Sequence, residues 1–131
     1  MNGYVADIED LACTNSDFRH VLYTGKHLQL VLMALKPDQD IGLETHKTHD
    51  QFFRIERGKG EVLIDGETHK VKAGDAMIVP AGAAHNLKNT GKKRMRLYTL
   101  YGPPNHRDQI DQRTKAEAVA STEHFEGKTT E

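Results

Sequence analysis

Ten residues, LETHKTHDQF at positions 43–52, gather Glu44, His46, His49, Asp50 and Gln51. Each can bind a metal ion through a side-chain oxygen or nitrogen. Oxygen and imidazole donors without thiolate suit one divalent ion, Mn, Fe, Co, Ni or Zn. Cys13 is the only cysteine, which excludes an internal disulfide and a cysteine-built zinc cluster. Glu44 and His46 are two residues apart. On an extended strand they share one face, with Cα atoms about 7 Å apart, a chelating arrangement.

The elements that must position these groups are short and punctuated. Leu28 to Leu35 is an apolar run ended by Lys36-Pro37-Asp38, and Gln51 to Glu56 is rich in aromatic and β-branched residues. In EVLIDGETHKV, Asp65-Gly66 is a two-residue turn between strand-forming flanks, the clearest hairpin signal in the chain. Ala76 to Pro80 is a further apolar run, and MRLYTLY at 95–101 alternates before Gly102-Pro103-Pro104 closes it. Among these runs there is no amphipathic pattern of helical length. An all-β sandwich or barrel follows, not a βαβ fold. Beyond it, Thr114 and Glu117 form a capping-box pair that opens a short helix to about Ser121, and the polar end EGKTTE is expected to be loose.

The 131 residues suffice for one domain, with a barrel core over about 28–101, an N-terminal segment 1–27 and a tail 102–131. The longest apolar run, Leu30 to Leu35, is too short to span a bilayer, and the acidic start MNGYVADIEDL lacks an export signal. A cytoplasmic location is the default expectation. Net charge is −1 and the one dense basic cluster, GKKRMR at 91–96, reads as a solvated loop end, so neither nucleic acid nor membrane is expected as a partner.

Residues 74–89, GDAMIVPAGAAHNLKN, place Gly74, Pro80, Gly82, His85 and Asn89 in the spacing G-x5-P-x-G-x2-H-x3-N. This resembles the second conserved motif of the cupin superfamily at every fixed position. The first cupin motif aligns upstream with Gly58 as its closing glycine. That alignment puts Gln51 at the Glu position, His46 at the second His, Glu44 at the first His and Asp38 at the opening Gly. Asp38, Glu44 and Gln51 therefore depart from the pattern. The resemblance implies a double-stranded β-helix (jelly-roll) barrel holding one divalent ion on Glu44, His46, Gln51 and His85. The familiar three-His, one-Glu set carries one formal negative charge; so does this one, with the carboxylate moved to the first position.

His49 and Asp50 are rivals within the same stretch. If the strand ran unbroken from Glu44, Lys47 and His49 would point outward, but KTHD reads as a connection where that parity lapses. Asp50 reads as a turn residue or one that orients a ligating group. His49, Asp50 and Tyr98 are the acid–base candidates, and Tyr101 is a further possible pocket hydroxyl. His20, His27, His69, His106 and His124 read most simply as surface or loop residues, with the alternative for His106 that the Pro-Pro turn before it folds back over a barrel mouth. With Gln51 inward, Phe53 and Ile55 line the barrel and Phe52, Arg54 and Glu56 face out, so Phe52 is expected to pack against a second subunit of a homodimer.

The chain is similar to small single-domain cupins grouped with mannose-6-phosphate isomerase. That likeness implies a metal-dependent enzyme, isomerase/epimerase-like or dioxygenase-like, acting on a small oxygen-rich molecule such as a sugar. The alternative is a barrel that binds a small sugar or carboxylate without turnover.

Overall fold

Asp65 and Gly66 adopt φ of 45° and 83°, the left-handed pair that a two-residue hairpin turn demands. The flanking strands β5 (Lys59–Ile64) and β6 (Glu67–Lys72) pair antiparallel in register from Ile64↔Glu67 to Lys59↔Lys72. A computed structural model describes all of residues 1–131. Its remaining elements are α1 (Ile8–Thr14), β1 (Arg19–Thr24), β2 (Gln29–Leu35), β3 (Glu44–Thr45), β4 (Asp50–Arg57), β7 (Ala76–Val79), β8 (Ala84–Asn89), β9 (Met95–Gly102), β10 (Asp111–Gln112) and α2 (Lys115–Ala120).

Two antiparallel sheets face each other. One runs β10-β1-β2-β9-β4-β7 and the other β3-β8-β5-β6. Strand parity fills the space between them. Val31, Met33 and Leu35 of β2, Phe53 and Ile55 of β4, and Met95 and Leu97 of β9 meet Val62, Val71 and Leu87 of the smaller sheet in one buried core. Fully burying side chains of this size contributes about 1.5–3 kcal/mol each. The jelly-roll that the family resemblance implies is the fold observed.

The motif positions have legible structural roles. Gly58 has φ of 95°, and a Cβ there would stand 3.0 Å from Met95 Cα, so only glycine fits without displacement. Asp38, where the family pattern has glycine, takes φ of 65°, a left-handed conformation that Asp tolerates better than most residues. Asn89 is a structural anchor: its Nδ2 donates to Leu35 O at 2.9 Å and to Lys93 O at 2.8 Å.

The sheet extends beyond the expected core at both ends. Arg19–Thr24 pairs with β2, and Asp111–Gln112 pairs with β1 through Arg19↔Gln112. Helix α1, absent from the sequence reading, starts at Asp7, whose side chain accepts from Asp10 N, and packs on the outer side of β2, β4 and β9. Helix α2 forms where the capping pair placed it. Thr114 accepts from Glu117 N, but Glu117 Oε2 reaches Arg113 N instead of the cap residue's own N–H. The terminal EGKTTE is tied down, not loose. Thr130 N donates to Thr24 O at 2.9 Å, and Glu131 accepts from Tyr23 Oη and from the amides of Asn2 and Gly3.

Candidate metal centre

The short edge strand β3 exists to hold Glu44 against β8: Glu44 pairs directly with His85. His46 follows β3 by one residue and keeps the parity of Glu44. His85 is buried on the same face as Leu87 and Asn89, and Gln51 enters from the opposite sheet on the face of Phe53 and Ile55. The two sheets thus bring Glu44, His46, Gln51 and His85 to one end of the barrel interior.

Donor atoms of Glu44, His46 and His85 lie within 4.8 Å of one another. Glu44 Oε2 is 3.2 Å from His46 Nε2, and Gln51 Oε1 is 3.2 Å from His85 Nε2. Neighbouring ligands around an ion with bonds of about 2.1 Å stand roughly 3.0–3.4 Å apart, so these spacings fit a shared ion. The hydrogen-bond bookkeeping agrees. His85 Nδ1 faces Ala83 O at 3.1 Å and must carry a hydrogen to do so. Neutral His85 then presents the Nε2 lone pair to the interior. Thr99 Oγ1 donates to Phe52 O and accepts from Gln51 Nε2 at 3.0 Å, which leaves Gln51 Oε1 turned inward. Two acceptors, His85 Nε2 and Gln51 Oε1, therefore face each other, an arrangement that a cation between them relieves.

The electrostatics favour an ionised carboxylate. Burial pushes the Glu44 carboxyl up, but the hydrogen bond from His46 and the electrostatic pull of the neighbouring imidazoles and the Arg19 guanidinium outweigh it and hold Glu44 below its ordinary range. Beside the centre, burial pushes the Tyr101 phenol well above its ordinary value and keeps His106 neutral by lowering its pKa. The Tyr101 ring stands edge-on to His46 at 5.8 Å between centroids, and its hydroxyl is 3.1 Å from His106 Nε2. His106 Nδ1 donates to Glu123 Oε1 at 2.6 Å. For Glu123, burial pushes up, but that bond and the Arg107 amide hold it low.

A family model for the cupin domain matches residues 31–101, more than half of the chain. The chain belongs to the cupin family. The uncharacterized protein YrkC of Bacillus subtilis is 44% identical over 124 residues, spanning 90% of this cupin and 67% of YrkC. An uncharacterized protein of Acanthamoeba polyphaga mimivirus is 36% identical over 108 residues, 79% of this chain and 67% of that protein. This cupin thus spans about two thirds of either relative's length. A crystal structure of a Bacillus halodurans protein superposes with a TM-score of 0.90 at 40% identity, covering 92% of this chain and 96% of that one. Cupins often bind a metal, and the Glu44–His46–His85 group is a possible site for one in this cupin.

The acid–base candidates fall outside the centre. His49 Nε2 lies 2.9 Å from Pro104 O, with its ring 5.9 Å from that of His46, so it borders the site without joining the donor cluster. Asp50 accepts from the Ala81 amide at 2.8 Å and ties β4 to the loop before β8. Tyr98 stands on the outer face beside Phe52, with ring centroids 6.3 Å apart, because its parity in β9 opposes that of Thr99 and Tyr101. Tyr101 is the interior hydroxyl instead. His106 does lie in a loop, but the turn before it folds back over the barrel mouth, where His106 is buried against the tail residue Glu123 and not exposed. Arg19, also buried inside, carried no sequence signal, since RHVLYT has no marked alternation. The alternation of MRLYTLY did favour Tyr101, which shares parity with Met95 and Leu97.

Proposed function

We propose that this cupin binds one divalent ion, Mn, Fe, Co, Ni or Zn, on Glu44, His46, Gln51 and His85, and acts there on a small oxygen-rich molecule. The observation that carries the reading is the convergence of Glu44, His46 and His85 with Gln51, in which the partners of Gln51 and His85 turn a lone pair of each toward the shared interior. Such an ion would polarise a carbonyl or enediol oxygen, as an isomerase or epimerase requires, or with Fe would support dioxygenase chemistry. The chain's own contribution is orientation and proton control. Thr99 and the Ala83 carbonyl fix Gln51 and His85. The buried Tyr101 hydroxyl holds its proton against neutral His106, whose other nitrogen is fixed by Glu123. A non-catalytic barrel that binds the same ligand uses the identical site without turnover, and cupin membership alone does not separate the two.

Metal analysis of protein purified without chelators tests the centre. Near-stoichiometric metal is expected in the parent, with a large loss in His46→Ala and in His85→Ala. Full retention in both variants refutes the site. With metal present, oxygen uptake or proton exchange with small sugars and diols supports an enzyme, and a ligand-induced rise in Tm without turnover supports the binding role. The outer face of the larger sheet is proposed to pair with a second copy.

A further inference from the structure

Arg19 is a buried cation that the protein does not neutralise. It opens β1 two residues before the core residue Val21 and therefore points into the barrel, where it is only 6% exposed. A guanidinium carries five N–H donors. The one hydrogen bond it makes runs from Nη1 to Gln112 Oε1 at 3.0 Å, while Nε is buried without a partner and no carboxylate is in ion-pair contact. The Phe18 ring lies 5.3 Å from its Cζ and supports it from one side. Its charge is felt at Glu44, Tyr101, His106 and Glu123, so it shares the interior with the metal centre. It acts on those groups only at a distance, and a buried charge of this kind persists when something pairs with it.

We propose that Arg19 is the anchor for an anionic oxygen group, carboxylate or phosphate, on the small molecule that enters the barrel, with its unpartnered Nε and Nη2 as donors. Two N–H bonds side by side match two oxygens of such a group in a way a neutral hydroxyl does not. The inference rests on the reading of the barrel as a ligand site and narrows its substrate class. The molecule is an organic acid or a phosphorylated compound, not a neutral sugar.

Calorimetric titration with malonate, inorganic phosphate and the uncharged malonamide tests this, on protein as purified and again after chelator treatment. Malonate or phosphate is expected to bind and malonamide not, and whichever anion binds names the group. The preference is expected to survive removal of metal. Arg19→Gln is expected to weaken the anion by roughly tenfold or more with metal content unchanged, and Arg19→Lys to retain part of the affinity. Equal binding of malonamide, no binding of either anion, or unaltered affinity in Arg19→Gln overturns the proposal. So does a preference that vanishes with the metal, because the ion would then be the anion's partner. Should Arg19→Gln not fold, the parent measurements before and after chelation decide alone. A parent that holds no metal as purified and still selects the anion sinks the metal reading and leaves this one standing.

Discussion

Thr99 dictates which end of Gln51 faces the barrel interior. Its hydroxyl hydrogen goes to Phe52 O at 2.8 Å, so its oxygen accepts the Gln51 amide hydrogen at 3.0 Å and leaves Gln51 Oε1 turned toward His85. Thr99→Val removes the acceptor while keeping the shape. The Gln51 amide is then free to present its NH2, which cannot bind a cation. Partners of metal ligands are typically worth about 10–100-fold in affinity, and a loss of that size is expected in a competition titration. Thr99→Ser should restore most of it. Parent affinity in the valine variant would show that Gln51 is not a ligand.

Glu44 and Gln51 make a ranked pair. Glu44 is the only anion among the four donors, and the His46 hydrogen bond and the Arg19 guanidinium help keep it ionised. Gln51 contributes a neutral oxygen. Glu44→Gln is therefore expected to weaken the ion more than Gln51→Ala does. Competition titration of both variants against one chelator checks this, and comparable affinities reverse the ranking.

What the residue order reveals about this site is uneven, for a physical reason. Gly74 to Asn89 carries its own turn chemistry, and the parity of β4 follows once Gln51 is set inward, so His85, Gln51 and the barrel itself are visible locally. Asp65-Gly66 announces its hairpin in the same way. Arg19, His106 and Glu123 depend on distant pairings. Arg19 is interior only because β1 is held between β2 and β10, and His106 is buried only because residues far along the tail return to it. No local propensity encodes those contacts, and a six-residue stretch such as RHVLYT becomes a strand through its neighbours. Tyr98 and Tyr101 show the narrowest margin: a shift of parity by one decides which hydroxyl faces the site.

The His106–Glu123 pair sets a direction for acid sensitivity. His106 is lowered by burial from its ordinary 6.5, so an unfolded chain takes up a proton there before the folded one does. Stability falls as pH drops through about 6.5 and continues to fall until the folded-state value is passed. Glu123, held below its ordinary 4.5 despite burial, stabilises the fold above that value and ceases to as pH falls through its depressed one. Both effects run the same way. Urea unfolding between about pH 7.5 and 5.5 should show the parent weakening, and His106→Gln, lower by about 1–3 kcal/mol near neutrality, should weaken less over that span. Parallel pH curves for the two proteins contradict the assignment.

On the outer face of the larger sheet, Ile78, Phe52, Leu100 and Leu30 stand opposite one another across β7, β4, β9 and β2. Ile78 is 68% exposed, and the other three are half-buried. Helix α1 covers the neighbouring end, where Leu32 and Ala34, also outward by parity, are buried. The open half of the face is thus an apolar stripe with no cover from its own chain, which a second copy would supply. Burying such side chains contributes about 1.5–3 kcal/mol apiece when complete, enough for Phe52 and Ile78 to govern association. Light scattering is expected to give twice the chain mass for the parent and the single-chain mass for Phe52→Asp with Ile78→Asp, at unchanged metal content. The double variant keeps the interior intact because both positions point away from Gln51 and Met77. A parent that runs as a single chain at high concentration leaves the stripe without this explanation.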